Sequence, residues 1–216
     1  MQHNWCPFCS SQQGSPEPFR GLINSPSLRS EVIFQGKHWA ILHDIAPIAP
    51  YHVLAVSRRH FPSSVCSDAA EAEELSELKV KIRDFHKKQT GLPTLFFEHG
   101  AANEGYGSAC IVHAHLHAVP VMWESFAPHI LYQLNDLGSP LDGPAQPGTA
   151  YLMIEFGAGA QVTWPDSGVP CQFFRQLTAR AVGYPERGRW QSCLMPEEIE
   201  RTKTWMLECA GKWAQV

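Results

Sequence analysis

Three imidazoles stand at alternate positions of an otherwise apolar run, His113-Ala114-His115-Leu116-His117-Ala118-Val119. In a β-strand successive side chains point to opposite faces, so a strand here places the three rings on one side and Ala114, Leu116 and Ala118 on the other. Neutral imidazole is both the commonest protein metal ligand and a good nucleophile near neutral pH, so such a face suits a metal ion or a phosphoryl group. One histidine in a strand is ordinarily a satisfied core or surface residue; three in strict alternation are not accounted for that way. A second feature is the thiol pair of Cys6-Pro7-Phe8-Cys9. Alone it is too short to establish a metal site, and a free, reduced pair is the other reading. A redox role is disfavoured because the pair does not lead from a strand into a helix.

The histidine run resembles the motif of the histidine triad superfamily, His-φ-His-φ-His-φ-φ with φ apolar, and matches it at every position. A second block, Ile41 to His60, is similar to the nucleotide-binding half of that family: Asp44-Ile45-Ala46-Pro47 forms a turn, Pro50-Tyr51-His52 leads into the apolar run Val53-Leu54-Ala55-Val56, and a basic turn ends in His60. With the Asn103-Glu104-Gly105 loop, the resemblance covers residues 5 to 121. It implies substitution at a phosphorus that carries a nucleotide. His115 is then the nucleophile, forming a nucleotidyl-histidine that water or another acceptor resolves. Its attacking nitrogen must be unprotonated, so its other nitrogen is expected to donate to a carbonyl that holds the tautomer. His117 and His52 offset charge at the phosphate and leaving group.

The same resemblance assigns Asp44 to the two ribose hydroxyls, a task that suits an acceptor-only carboxylate. Ile45, with Phe34 or Leu42, lines a base pocket or belongs to ordinary core. Asn103 lies on the phosphate side, and Gly105 and Gly107 let backbone N–H groups approach an anion. The family commonly has a hydroxyl residue three positions before the first histidine, where this chain has Cys110. A thiol donates poorly, so Ser108 or the backbone N–H takes over, or the activity is reduced or redirected. Several family branches hold zinc with residues matching Cys6, Cys9, His60 and His113. Two thiolates and two imidazoles make a closed tetrahedral site, which is structural and leaves no position for a catalytic water.

His117 favours a hydrolase releasing a nucleoside monophosphate, because the superfamily's uridylyltransferases usually carry Gln there. The Phe97-Glu98-His99-Gly100 segment and the long C-terminal part look less like the minimal hydrolases, so a nucleotidyltransferase or phosphorylase is the alternative. A non-catalytic nucleotide-binding module is a third reading. Such hydrolases are often homodimers, an assembly this chain's extension could obstruct.

These residues need elements to position them. Val32 to Gln35 and Trp39 to Leu42 flank Gly36-Lys37 as a hairpin, and His52 to Val56 reads as a third strand. From Asp68 to Gln89 the pattern is helical: Leu75, Leu78, Ile82 and Phe85 form an apolar stripe, Ser67 or Asp68 caps the start and Gly91 stops it. Leu95 to Glu98 and Ile111 to Val119 read as strands. The result is a helix on an antiparallel sheet, an α+β fold. Residues 1–122 are expected to form the catalytic domain and 123–216 an extension packed on it. In that extension 123–149 reads as a long loop, Tyr151 to Phe156 with Gln161 to Trp164 as a hairpin, Cys171 to Val182 as a helix, and Pro196 as the start of another. Ser10 to Ser27 reads as loop, and Trp205, Leu207 and Trp213 as packing residues.

With 216 residues, 44% hydrophobic and 18% charged, the chain has the composition of an ordinary globular protein. The net charge of −4 gives no general attraction to nucleic acid. No apolar run reaches the ~18 residues that cross a bilayer, so no membrane partner is expected. Seven cysteines without a regular framework suit a reducing, cytoplasmic setting; Cys66, Cys171, Cys193 and Cys209 read as small buried hydrophobes.

Overall fold

β-Branched and aromatic residues dominate seven segments that pair into one sheet. They are β1 Val32–Gln35, β2 Trp39–His43, β3 Val53–Ser57, β4 Thr94–Gly100, β5 His115–Pro120, β6 Tyr151–Phe156 and β7 Ala160–Pro165. The computed structural model describes residues 6–12, 32–105, 111–134, 137–157 and 159–193, together with Glu197 and Thr204. The sheet order is β1-β2-β3-β5-β4-β6-β7, and every neighbouring pair is antiparallel. Among the described residues the α-helices that pack with it are α1 Pro7–Gln12, α2 Ala69–Thr90, α3 Trp123–Leu134 and α4 Phe173–Ala181. The α+β class is therefore as the sequence patterning predicts.

The period-two rule divides the sheet into two working faces. Ala114, Leu116 and Ala118 are fully buried in a cluster that includes Trp39, Phe96 and the α2 stripe of Leu75, Leu78, Ile82 and Phe85. The opposite face carries two separate apolar clusters. One joins Leu95, Phe97, Leu152 and Ile154 to Phe126 of α3 and Phe174 and Leu177 of α4. The other joins Phe8 of α1 to Leu42, Leu54 and Val56. Between these clusters stand the rings of β5. The hairpin of the C-terminal extension adds its strands to the β4 edge, Phe97 opposite Ile154, so the extension completes the sheet.

α2 is closed at both ends as expected. Asp68 accepts from the Glu71 N–H at 2.9 Å while Glu71 accepts from the Asp68 N–H at 2.8 Å, a reciprocal capping box. Gly91 takes a left-handed conformation, φ 71°, and its N–H reaches the Lys87 carbonyl. Within α2, His86 is buried; its Nε2–H donates to the Tyr51 carbonyl at 3.0 Å and its Nδ1 lies 2.9 Å from the Thr94 hydroxyl, tying helix to sheet.

Three local expectations are corrected. Residues 123–134 form α3 rather than loop: the stretch is largely apolar and buries Phe126 and Leu134 against the β4 and β6 face. Pro128 sits inside that helix, exposed. β5 begins at His115 and not at Ile111: the Ala114 N–H turns away to the Phe61 carbonyl at 2.7 Å, which takes His113 out of the strand ladder. Ser10 to Gln12 are helical, continuing α1; 13–27 lie outside the described residues. Also outside them are the helix expected from Pro196, save Glu197 and Thr204, and the packing expected of Trp205, Leu207 and Trp213.

Replacing Asp68 with Ala removes the cap without touching the core. It should cost about 1 kcal/mol, read as a fall of roughly 2–4 °C in Tm on thermal unfolding.

Candidate active site and metal centre

His115 and His117 project from β5 into a cleft of about 870 Å3, its open mouth included, where the two apolar clusters of that sheet face part. The tautomer of each ring follows from what its nitrogens face. His115 Nδ1 lies 2.6 Å from the His113 carbonyl, an atom that only accepts, so Nδ1 carries the proton and Nε2 keeps its lone pair. Burial holds this histidine below its usual pKa, outweighing the opposing pull of that carbonyl and of Asp44. A buried, neutral imidazole with one nitrogen tied to backbone is poised as a nucleophile.

A second chain of hydrogen bonds orients His117. His52 Nδ1 accepts from the Ile48 N–H at 3.1 Å, which leaves the His52 proton on Nε2. Nε2 lies 3.0 Å from His117 Nδ1, so His117 accepts there and bears its own proton on Nε2. Phe97 stacks on the His117 ring, centroids 4.5 Å apart and planes 12° from parallel. Burial drives the His52 pKa down to about 3 and His117 well below the ordinary value. Neither ring is charged at neutral pH.

Asp44 stands behind this pair and has a partner that sequence reasoning missed. Arg175 of α4 donates from Nη1 to Asp44 Oδ2 at 2.7 Å and from Nη2 to the Ala46 carbonyl at 2.6 Å. Asp44 Oδ1 accepts from the Ala46 N–H at 2.8 Å, and both His52 Nε2 and His117 Nδ1 lie 3.7 Å from Oδ2. Burial alone would raise the Asp44 pKa, but the Arg175 charge, His52 and these hydrogen bonds bring it below the usual carboxylate value. The signal for Arg175 was present: it falls beside Phe174, Leu177 and Thr178 on the buried side of α4, and arginine is almost never fully buried unless paired. Asp44, His52 and His117 are close enough to share a metal ion, yet a guanidinium already on that carboxylate makes a second cation there unfavourable.

The remaining expected positions divide. Ile45 and Leu42 line the cleft, joined by Phe8, Phe173 and Trp190, which the motif reading did not single out. Phe34 does not: a register shift between Val32 and Phe34 places it opposite Ile41, packed against the cluster under α2 on the other face. Asn103 is exposed and its Oδ1 accepts from the Gly105 N–H at 2.7 Å, within its own loop. Gly107, Ser108 and Cys110 lie outside the described residues.

His113 leaves the triad face. Its Nε2–H donates to the Ser57 carbonyl at 2.7 Å, which turns the Nδ1 lone pair toward Cys6 Sγ at 3.2 Å, Cys9 Sγ at 3.5 Å and His60 Nδ1 at 3.1 Å. His60 Nδ1 is 3.4 Å from Cys9 Sγ, and one donor atom from each of the four residues falls within 4.8 Å of the others. Tetrahedral sites with metal–N and metal–S bonds of ordinary length have edges of roughly 3.3–3.8 Å. Four soft and borderline donors at nearly that spacing, with one imidazole oriented by a backbone carbonyl, fit a closed metal site. The same short helix that supplies Cys9 also lays Phe8 on His115, ring centroids 5.0 Å apart. A metal here would hold α1 against His115. Cys171, read from sequence as a small hydrophobe, is instead disulfide-bonded.

β5 pairs with β3 within an antiparallel sheet backed by α2, and His52 lies just before β3. The fold is α+β. No family model matches the chain. Among curated proteins it is similar to zinc finger CCCH domain-containing protein 64 of Arabidopsis thaliana, 25% identical over 202 residues covering 82% of this chain and 32% of that protein. It is similar also to CWF19-like protein 1 of Homo sapiens, 24% identical over 198 residues covering 83% and 35%. It thus spans about a third of the length of these relatives. Similar solved structures include a hypothetical histidine triad nucleotide-binding protein of Sulfolobus tokodaii, 17% identical, covering 96% of this chain and 93% of that one, with a TM-score of 0.46. Another is a zinc-bound histidine triad family protein of Mycobacterium smegmatis, 18% identical, 53% and 73% covered, with a TM-score of 0.39. Among the described residues no helix is long and apolar enough to cross a membrane.

Two outcomes follow from this geometry. Titrating chelated protein with Co2+ should give the visible bands of a tetrahedral thiolate site at one equivalent, and Cys9→Ser should shift or abolish them; featureless spectra would show that the four donors hold no metal. His52 and His86, with folded pKa values near about 3 and about 4, stabilise the fold fully above the unfolded value of about 6.5, and less as pH falls through it. Each should remove roughly 2 kcal/mol by pH 5, so Tm should drop between pH 7 and pH 5.

Proposed function

We propose that this chain is a nucleotide hydrolase that acts at the α-phosphate of a nucleoside phosphate derivative through a nucleotidyl-histidine intermediate. The observation that carries this reading is the His115 ring, whose Nδ1–H is committed to the His113 carbonyl while Nε2 keeps its lone pair beside the cleft. In the first step Nε2 forms a bond to phosphorus and the bond to the leaving group breaks. The electron pair departs with the leaving group: a polyphosphate leaves as its anion, and the amine of a phosphoramidate leaves with the proton of His117 Nε2–H, which His117 regains from solvent. His117 Nε2–H donates to the phosphate or leaving-group oxygen, held by His52 from behind. Water then attacks phosphorus, the P–N bond breaks, its electron pair returns to Nε2, and the water's proton passes to solvent. The apolar wall of Leu42, Ile45, Phe173 and Trp190 suits a flat base.

We assign zinc to the Cys6, Cys9, His60 and His113 cluster, because two thiolates with two imidazoles are that ion's usual closed donor set. It supplies a structural tie and no reacting group. Burial, then the neighbouring Cys6, pushes the Cys9 thiol up to about 12, so metal uptake at neutral pH releases protons.

A second reading, a nucleotide-binding module without turnover, is favoured by one observation: Asp44 is already engaged by Arg175. Single-turnover mixing with a radiolabelled dinucleoside polyphosphate or nucleoside phosphoramidate, quenched in alkaline denaturant where P–N bonds persist, separates the two. A labelled protein adduct is expected, lost in His115→Ala together with about 10^3-fold or more of turnover. Binding without adduct would leave the module. Adduct resolved only when inorganic phosphate or a sugar phosphate is added would make the chain a phosphorylase or transferase. Because the His115 pKa is lowered, the adduct should form at an undiminished rate from pH 8 down through the ordinary histidine range and fall only in more acid solution.

A further inference from the structure

Asp44 borders the cleft, but its carboxylate is almost wholly covered and already engaged. Its side chain is 6% exposed, one oxygen accepts from the Ala46 N–H at 2.8 Å, and the other accepts from Arg175 Nη1 at 2.7 Å with two histidine nitrogens at 3.7 Å. Arg175 is itself 5% exposed at the side chain, and its second nitrogen is bound to the Ala46 carbonyl at 2.6 Å. The guanidinium therefore closes over the whole 44–46 turn, touching both its carboxylate and its backbone. For ribose hydroxyls to reach Asp44, this group would have to leave, and a neutral hydroxyl cannot compensate a guanidinium stranded in a buried site. The contact is built into the fold: α4 buries Phe174 and Leu177 in the same cluster as Phe97, which stacks on His117.

We infer that Arg175 takes the place of the sugar at Asp44, so that the cleft binds nucleoside 5′-phosphates without selecting for the 2′- and 3′-hydroxyls. Arg175 is on this view the residue that sets sugar specificity. Ligands are then held at their two ends, the base against the Phe173 and Trp190 wall and the phosphate beside His115 and His117, with the sugar spanning between them. The substrate class widens accordingly to ribose, 2′-deoxyribose and 2′-substituted nucleotides. This inference rests on the cleft being a nucleotide site.

Isothermal titration of the metal-loaded full chain first identifies which of the four ribonucleoside 5′-monophosphates binds most tightly. Its 2′-deoxy and 2′,3′-dideoxy counterparts are then compared with it. All three should bind within about threefold of one another, and a preference for ribose of tenfold or more would overturn the inference. Arg175→Met frees the carboxylate, and the folded variant should gain a ribose preference of about tenfold, equivalent to 1.4 kcal/mol; an unchanged ratio in folded variant would refute the role of Arg175. Should Arg175→Met fail to fold, the ratios of the parent protein decide alone. Binding of no nucleotide, ribose or deoxyribose, sinks the nucleotide reading itself and this inference with it, an outcome distinct from tight but ribose-selective binding.

Discussion

A buried guanidinium must have a partner, and in this protein the partner lies 131 residues away. The Arg175–Asp44 pair joins the C-terminal extension to the turn before β3, and with it joins the half of the cleft built by α4 to the half built by β2, β3 and β5. Removing either member would leave an uncompensated charge in a site with almost no solvent contact, which is why the pair constrains everything around it. The His52 and His117 rings are set beside it at 3.7 Å, and the β6–β7 hairpin and α4 are no longer appendages but walls of the working face.

Around that single ion pair the site is kept neutral by burial. Three histidines of the site are oriented by a group that decides the tautomer: the His113 carbonyl for His115, the Ile48 N–H for His52, and His52 in turn for His117. Desolvation lowers the pKa of all three, so the lone pair on His115 and the N–H on His117 are present together at neutral pH without competition from protonated forms. His113, two residues before the strand begins, uses the same device for a different end: its Nε2–H on the Ser57 carbonyl presents Nδ1 to two thiols and a second imidazole. One motif therefore serves two functions, separated by the point at which the Ala114 N–H leaves the ladder for Phe61.

Much of this was legible in advance where the physics is local. The α2 caps at Asp68 and Gly91, the buried stripe from Leu75 to Phe85, the hairpins at Gly36 and after Phe156, and the alternation of β5 all depend on residues within a few positions of one another. The 123–149 stretch, by contrast, reads as one loop because its Pro, Gly, Asp and Asn lie mostly after residue 134; 123–134 itself is largely apolar and folds as a helix that buries Phe126 and Leu134. Phe34 stands two positions from Val32, yet a register shift between them turns it to the α2 face opposite Ile41 while Val32 stays with Leu42.

The amino-acid sequence by itself determined the α+β class, the α2 helix with its caps and the alternation of β5, and it singled out His115 and the Cys6, Cys9, His60 and His113 set that the fold brings together, because periodicity and residue chemistry act over short spans of chain. Tertiary structure alone decided that His113 turns from its fellow histidines, that Phe8 covers His115, and that Arg175 occupies Asp44. Those outcomes depend on which distant groups share a low-dielectric space. An arginine carries no mark of its eventual partner until the fold has excluded water from both.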